Sequence, residues 1–308
     1  MDIYVPKYYK NFVCIADKCA HSCCIDWEID VDRETYLKYK SLEGEYAKEI
    51  VKNIEKDGDT YYFALGKNNR CPNLDINGLC KIITNLGEEY LCDICRLHPR
   101  FFNEAYGRKE VGLGFSCEEA VRVALLSEEP FELEKIGEDE SNPVNKNTYV
   151  ASDERDRLIA AFEDNGIPLS EKIEAIEREY SLDKVNTVGE EWLDILLSLE
   201  ILDCEWKNIL EGAKNEREEV SLSKYEKYLT RFMQYLLYRH ISLAVSELNF
   251  RARLGFCLLG LNIITYIAKR EKNLTRDKLF DIIRLYSSEI EYSEENTEEL
   301  IFEFESVI

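Results

Sequence analysis

The 308-residue chain is short of positive charge: 39 lysines and arginines stand against 61 aspartates and glutamates, for a formal net charge of -22. Nucleic-acid backbones and anionic membrane surfaces are bound through surplus Lys and Arg, so neither is an expected partner. A cationic partner, such as a lysine-bearing protein surface, suits the charge, and solubility alone also accounts for it. Long apolar runs are lacking too. The most apolar segment, Leu254 to Ala268, is bounded by Arg253 and Lys269. It falls short of the roughly 20 residues a membrane span takes and reads as a buried core helix. The opening MDIYVPKYYKNF has no apolar run of the signal-peptide kind, which sets the expectation of a reduced, cytoplasmic protein.

Most catalytic signatures are missing. There is no G-x-G-x-x-G after a strand, no P-loop, no G-x-S-x-G elbow and no H-E-x-x-H. Gly112 and Gly114 in GLGF read as strand glycines. Histidine is scarce, with three residues. His240 lies on an apolar helical face and reads as a core residue, whereas His21 and His98 flank cysteines and are candidates as ligands or as supporting donors. No internal repeat of fixed period is present.

What the chain does have is cysteine. Nine of its eleven lie between Cys14 and Cys117: Cys14, Cys19, Cys23 and Cys24 in CIADKCAHSCC, Cys71 and Cys80 in CPNLDINGLC, Cys92 and Cys95 in CDIC, and Cys117 in FSC. Disulfide frameworks belong to oxidising compartments and to domains too small for a core, and the number here is odd. Clustered thiols in a reduced setting point to a metal, and tetrahedral thiolate sites suit zinc or iron–sulfur. Nine thiols exceed the four that one ion or one [4Fe–4S] cluster takes. Either two sites exist, or several cysteines do not ligate. Adjacent Cys23 and Cys24 point in different directions unless the backbone bends, so they suit two roles better than one ion.

Narrower cysteine motifs do not complete. Cys19-x3-Cys23 matches the first half of the C-x3-C-x2-C loop that activates S-adenosylmethionine for radical chemistry, but Asp26 stands where the third cysteine is required. No zinc-finger C-x2-C…C-x2-C spacing is present, and Cys92-x2-Cys95 lacks the βαβ context of a thioredoxin-like pair. Trp27 shields the site or staples the following helix to the core, the core role being preferred.

The expected fold is mainly α, with an N-terminal cysteine-rich metal-binding domain carrying short β-hairpins and a C-terminal helical bundle. Domain limits are drawn at 1–127 for the cysteine domain, 128–149 for an acidic linker containing Pro130, Gly137 and Pro143, and 150–308 for the helices. The aromatic lead-in of residues 1–13 is expected to pack beside the first cysteines. Asp32 is an N-cap candidate for a helix, residues 43–56 form a second, and DTYYFAL behind Asp57-Gly58 is a strand. Asn77-Gly78 predicts a hairpin that brings Cys71 and Cys80 together. Residues 81–97 form one or two short helices broken at Gly87. Phe101–Phe115 form a hairpin, and Ser116 with Glu119 makes a capping box that puts Cys117 in the first helical turn. Helices are expected at 151–164, 169–181, 189–211, 222–247, 249–270, 275–288 and 296–306.

The blocks CIADKCAHSCCIDW, CPNLDINGLCKI, LCDICRLHPRFF and FSCEEAVRVAL together resemble the flagellin lysine-N-methylase family, with its zinc- or iron-chelating cysteine-cluster domain, over residues 8 to about 126. The resemblance implies a protein lysine N-methyltransferase that transfers methyl from S-adenosylmethionine to surface lysines of flagellin, with a cysteine-bound Fe–S cluster, [4Fe–4S] or alternatively zinc. The implied metal ligands are Cys14, Cys19, Cys23, Cys24, Cys71, Cys80, Cys95 and Cys117, with Cys92 outside the pattern. His98-Pro99-Arg100 stands where the family usually has Tyr-Pro-Arg, which leaves the arginine and removes a tyrosine hydroxyl. No catalytic base or S-adenosylmethionine pocket is assigned. The competing reading is a non-enzymatic zinc- or iron–sulfur-binding structural or electron-transfer protein, or a zinc-stapled interaction module.

Overall fold

A computed structural model of the chain describes residues 1–105, 108–139, 152–164, 166–182, 189–216 and 218–307. The protein is mainly α, as expected, with thirteen α-helices and seven strands among the described residues. It forms two compact units. One comprises Val13–Arg100 with Cys117–Glu119; the other comprises Met1–Phe12, Phe101–Ser116 and Ala120–Ile308.

The chain opens with strand β1 (Asp2–Pro6) and then enters the cysteine-rich unit. There β2 (Asp30–Val31) leads into α1 (Arg33–Ser41). Asp32 caps α1 as expected, its Oδ1 accepting the Thr35 N–H at 2.8 Å. In α2 (Glu45–Lys52), Ala47 and Ile50 are buried three residues apart, the helical spacing of one face. Strands β3 (Ile54–Asp57) and β4 (Thr60–Phe63) form a hairpin, and the sheet order is β2-β4-β3. Helices α3 (Lys81–Leu86) and α4 (Asp93–Leu97) are separated at Gly87, where the break was expected. The apolar core of this unit gathers Ile29, Val31, Tyr39, Ile50, Phe63, Ile82, Cys71 and Cys92.

In the helical unit, β5 (Arg100–Ala105) and β6 (Arg108–Leu113) precede α5 (Glu118–Leu125) and β7 (Leu133–Glu138). The sheet order is β5-β6-β1-β7. Strand β1 runs parallel to β6, with Asp2 opposite Arg108, and antiparallel to β7, with Pro6 opposite Leu133. Gly112 is a strand glycine as expected, and the reason is close approach: a Cβ there would lie 2.1 Å from Cζ of Phe101. The helices are α6 (Ser152–Ala161), α7 (Leu169–Tyr180), α8 (Glu190–Ser198), α9 (Cys204–Asn215), α10 (Glu226–His240), α11 (Glu247–Lys269), α12 (Arg276–Tyr286) and α13 (Glu294–Val307). Helix α11 is the core element, packed against α10, α12 and α13. It alone among the described helices is long and apolar enough to cross a membrane, and Leu254, Phe256, Leu258, Leu259 and Ile263 on it are fully buried inside the unit.

Several expectations are corrected. The compact units do not divide at residue 127, because β1 pairs with strands made much later in the chain. Residues 1–12 therefore belong to the helical unit, where Tyr8 packs edge-on against Phe131 at 5.9 Å. Within 128–149, β7 is a strand rather than linker; its backbone pairing with β1 supplies what its sequence pattern lacks, and residues 140–149 lie outside the described residues. The helix expected over 189–211 is two. Its break is held by the Glu289 carboxylate, which accepts the N–H groups of Leu202 (2.9 Å) and Asp203 (2.6 Å), and Asp203 then caps α9. Ser116 does not cap α5: its buried hydroxyl has no hydrogen-bond partner among the described residues, and the helix begins at Glu118.

Candidate thiol centre

All eleven cysteines are free thiols. Every one of the nine between Cys14 and Cys117 lies in the cysteine-rich unit, while exposed Cys204 and buried Cys257 belong to the helical one. Backbone pairing does much of the gathering. The Cys71 N–H donates to the Cys24 carbonyl at 2.8 Å, and Ile25 bridges Arg70, so two distant loops run side by side. Cys71 and Cys80 are joined by a compact loop in which Leu74 bridges Cys80. Asp75 organises that loop, its Oδ1 accepting the N–H groups of Asn77 and Leu79, both at 2.8 Å. Gly78 takes the left-handed φ of +82° that a side chain would strain. The expected turn is present, with an aspartate side chain as its hub.

Cys92 and Cys95 lie one turn apart at the start of α4, and their thiols are hydrogen-bonded. Cys23 and Cys24 likewise share a hydrogen bond. In each pair one thiol is driven toward thiolate and the other away from it. Cys24 is lowered by the hydrogen bond from Cys23, and Cys92 by that from Cys95. Elsewhere burial pushes Cys19 and Cys71 up to about 12 and raises Cys80. These costs belong to the metal-free thiols, since apolar surroundings disfavour an uncompensated thiolate.

Among the described residues, no three His, Cys, Asp or Glu side chains converge as a ready metal set. The thiols stand as close pairs and looser groups. The chemistry of the donors nonetheless fits a soft metal: they are all sulfur and reduced. Neither candidate histidine joins them in a metal set. His98 is half-buried against Trp27, ring centroids 6.0 Å apart, and desolvation followed by the charge of Arg100 pushes it down to about 4. The backbone N–H of His21, with that of Ala20, donates to Glu118 Oε2, each at 3.0 Å. Trp27 thus stands against His98. His240, as expected, is a core residue, hydrogen-bonded through Nε2 to buried Glu291 at 2.6 Å.

Cys92, one of the nine clustered thiols but outside the resemblance pattern, is fully buried and in contact with Cys95. One residue of this site was not read from the sequence. Glu118 ties the first cysteine loop to the segment of Cys117, and only its position beside that cysteine marks it.

The same unit carries an open cleft of about 400 Å³ lined by Asp30, Asp32, Asp59, Asp93, Tyr61 and Ile94 among others. Tyr61 stacks on Tyr36 with centroids 4.0 Å apart. Asp32 is committed to structure, its Oδ2 accepting the Asp93 N–H at 3.0 Å while Oδ1 caps α1. The cleft's carboxylates and aromatic wall stand beside the protein's own cations: Arg33 lines the cleft, Arg96 pairs with Asp93 at 2.6 Å, and Lys56 lies over the Tyr61 ring at 5.3 Å.

Against known proteins, one stretch of the chain is similar to a flagellar biosynthetic protein and to two lysine-N-methylases. It is 26% identical over 123 residues to the flagellar biosynthetic protein FliU of Salmonella muenchen, covering 37% of this chain and 71% of that protein. At the same identity and length it matches the lysine-N-methylases of Salmonella choleraesuis and Salmonella typhimurium, covering 30% of each. The chain therefore spans under a third of the length of those two methylases. No family model and no solved structure matches.

Proposed function

We propose that the protein is a lysine N-methyltransferase acting on protein lysines, with flagellin as the substrate and S-adenosylmethionine as the methyl donor. The observation that carries this reading is the likeness to the two lysine-N-methylases. The FliU match and the acidic surface support a flagellar, lysine-bearing substrate. When bound, S-adenosylmethionine would supply a sulfonium methyl group for a neutral amine; the S–CH3 bond breaks as the N–CH3 bond forms, and S-adenosylhomocysteine leaves. A free lysine has pKa near 10.4. A carboxylate of the Asp30–Asp93 cleft that met a lysine would favour its ammonium form, so the cleft does not supply the deprotonation step.

A thiolate-bound metal, [4Fe–4S] or zinc, would be held by cysteines among Cys14, Cys19, Cys23, Cys24, Cys71, Cys80, Cys92, Cys95 and Cys117. It would supply a covalent staple for a unit built from short elements. That same observation favours the second reading, a structural or electron-transfer metalloprotein: Cys71 and Cys92 belong to the apolar core itself.

The test is incubation with S-adenosylmethionine labelled in the methyl group and with purified flagellin, followed by mass spectrometry. Methylated lysines and S-adenosylhomocysteine are expected. A protein that neither binds the donor nor transfers the label leaves the metalloprotein reading.

A further inference from the structure

The connection between α10 and α11 is apolar on its outer side. Leu243, Val245 and Leu248 all face solvent, Val245 at 73% exposure. A lone exposed apolar side chain is ordinary on a protein surface, whereas neighbouring ones with a polar rim mark a contact surface. Asn249 joins this segment to α13. Its Oδ1 accepts the Val245 N–H at 3.3 Å and the Arg253 Nε–H at 2.9 Å, while its Nδ2 donates to Glu305 Oε1 at 2.6 Å. On α13, Glu298, Phe302 and Glu305 follow one another at the four- and three-residue spacing of one helical face. Phe302, 66% exposed, therefore stands beside the Asn249 contact. The helices approach closely here as well, since a Cβ on Gly255 of α11 would lie 3.0 Å from Cδ1 of Phe304.

The rim of this patch has one sign. Helix α13 carries six glutamates and no lysine, arginine or histidine, and Glu294, Glu295, Glu298, Glu299 and Glu303 are exposed. Exposed Glu247 adds a carboxylate from α11. The arginines at this end of α11 are engaged within the fold. Arg253 donates to Asn249 and lies in the field of Glu305 and Glu298, and Arg251 donates to the carbonyls of Tyr180 and Ser181.

We infer that Leu243, Val245, Leu248 and Phe302, with the glutamates of α13 around them, form a docking surface for a cationic amphipathic helix of a partner protein. Its apolar stripe covers the four side chains and its lysines or arginines meet the glutamate rim, the way an amphipathic helix is held by a partner. The charge tells against other occupants. A second copy of this chain would bring the same glutamates face to face, and like charges set together across an interface repel. An anionic membrane is repelled for the same reason. The inference does not rest on methyl transfer.

The probe is a fluorescent helical peptide of about 18 residues, leucines on one face and lysines on the other, compared with a scrambled peptide of the same composition. Anisotropy titrations use the full chain, with circular dichroism as the check on folding. The amphipathic peptide is expected to bind more tightly than the scrambled one. Val245→Ser with Leu248→Ser should weaken it about tenfold. Glu298→Gln with Glu299→Gln and Glu303→Gln should do the same and flatten its salt dependence. The control is Ile167→Ser with Glu171→Gln and Glu174→Gln; Ile167 is exposed near Leu169, whose N–H reaches Glu226 at the opposite end of α10, and binding should not change. Carbodiimide cross-linking of the parent chain is the second measure and needs no variant: peptide lysines should couple to Glu298, Glu299 and Glu303. Equal binding of the two peptides, indifference to the patch variants, or cross-links confined to other carboxylates would mean general attraction to an acidic chain and overturn the inference. A chain that sediments as a dimer, and as a monomer once Val245 and Leu248 are replaced, overturns it in favour of a second copy.

Discussion

Arg155 and Glu110 face each other in the helical unit with both side chains fully buried, Nη2 lying 2.9 Å from Oε1 and Nη1 contacting Oε2. Nη1 also contacts the Ser242 hydroxyl, and Asp156 accepts from Nε at 3.0 Å, so the guanidinium is satisfied on several sides. A buried pair of this kind is costly to break and cheap to replace. Arg155→Met is expected to lower unfolding free energy by about 1–3 kcal/mol, because it leaves the buried Glu110 carboxylate to Arg108 alone, whose Nε donates to Oε1 at 2.7 Å. Arg155→Met with Glu110→Leu is expected to recover most of that loss. Chemical denaturation of the three proteins checks it, and equal destabilisation of the single and double variants would refute it.

Glu289 gives the helical unit a pH dependence. Burial pushes its carboxyl from 4.5 up to about 7, against the two backbone N–H groups that favour the ionised form. A carboxyl whose folded pKa is raised binds its proton more tightly when folded. Its stabilisation is thus complete below about pH 4.5 and is lost as pH rises through 7, worth roughly 2–3 kcal/mol at most. Glu289→Gln, which stays neutral, should flatten this part of the stability profile between pH 5 and 8. Thermal melts across that range are the measurement; an unchanged slope would count against the assignment.

Asp75 is the hub of the loop between Cys71 and Cys80. Asp75→Ala removes the acceptor for two N–H groups and is expected to cost about 1–2 kcal/mol. Because the loop sets the approach of the two cysteines, metal retention under a chelator challenge should fall with it. Asp75→Asn keeps one acceptor oxygen and should lie between. Identical retention in all three proteins would separate the loop from the thiols it joins.

Glu118→Ala removes the acceptor that ties Ala20 and His21 to the Cys117 segment. In metal-free reduced protein, alkylation of Cys19 is expected to accelerate roughly fivefold, the equivalent of about 1 kcal/mol of lost restraint. Labelling of Cys71 serves as the internal control and should not change. Equal acceleration at both cysteines would signal general loosening instead.

What could be read from the sequence was what local chemistry decides. Asp32 before an amphipathic run, Gly87 between two short helices and the apolar run of Leu254 to Ala268 each carry their own signal, and each is found where expected. The errors are where a distant partner decides. Near Leu199 to Asp203 the one local sign of a break is the capping Asp203, and the other groups that stabilise it belong to distant Glu289 and Asn296. Strand β7 has no alternation and is a strand through pairing with β1. The thiols were legible as a set because cysteine is so unevenly distributed. Which of them reach the apolar core was not, because that core is assembled from Ile29, Tyr39 and Phe63, residues distant in the chain.

The connectivity of β1 also sets an order of events during synthesis. This strand is translated well before its neighbours, which begin at Arg108 and Leu133, so it must wait unpaired until they are made. Cys24, Cys71, Cys80, Cys92 and Cys95 have all been translated before that point. Cys117, which Glu118 fastens to the first cysteine loop, emerges only after β6. A growing chain can therefore assemble the buried thiols early, pair β1 with β6 and bring in Cys117 next, and close the sheet with β7 last.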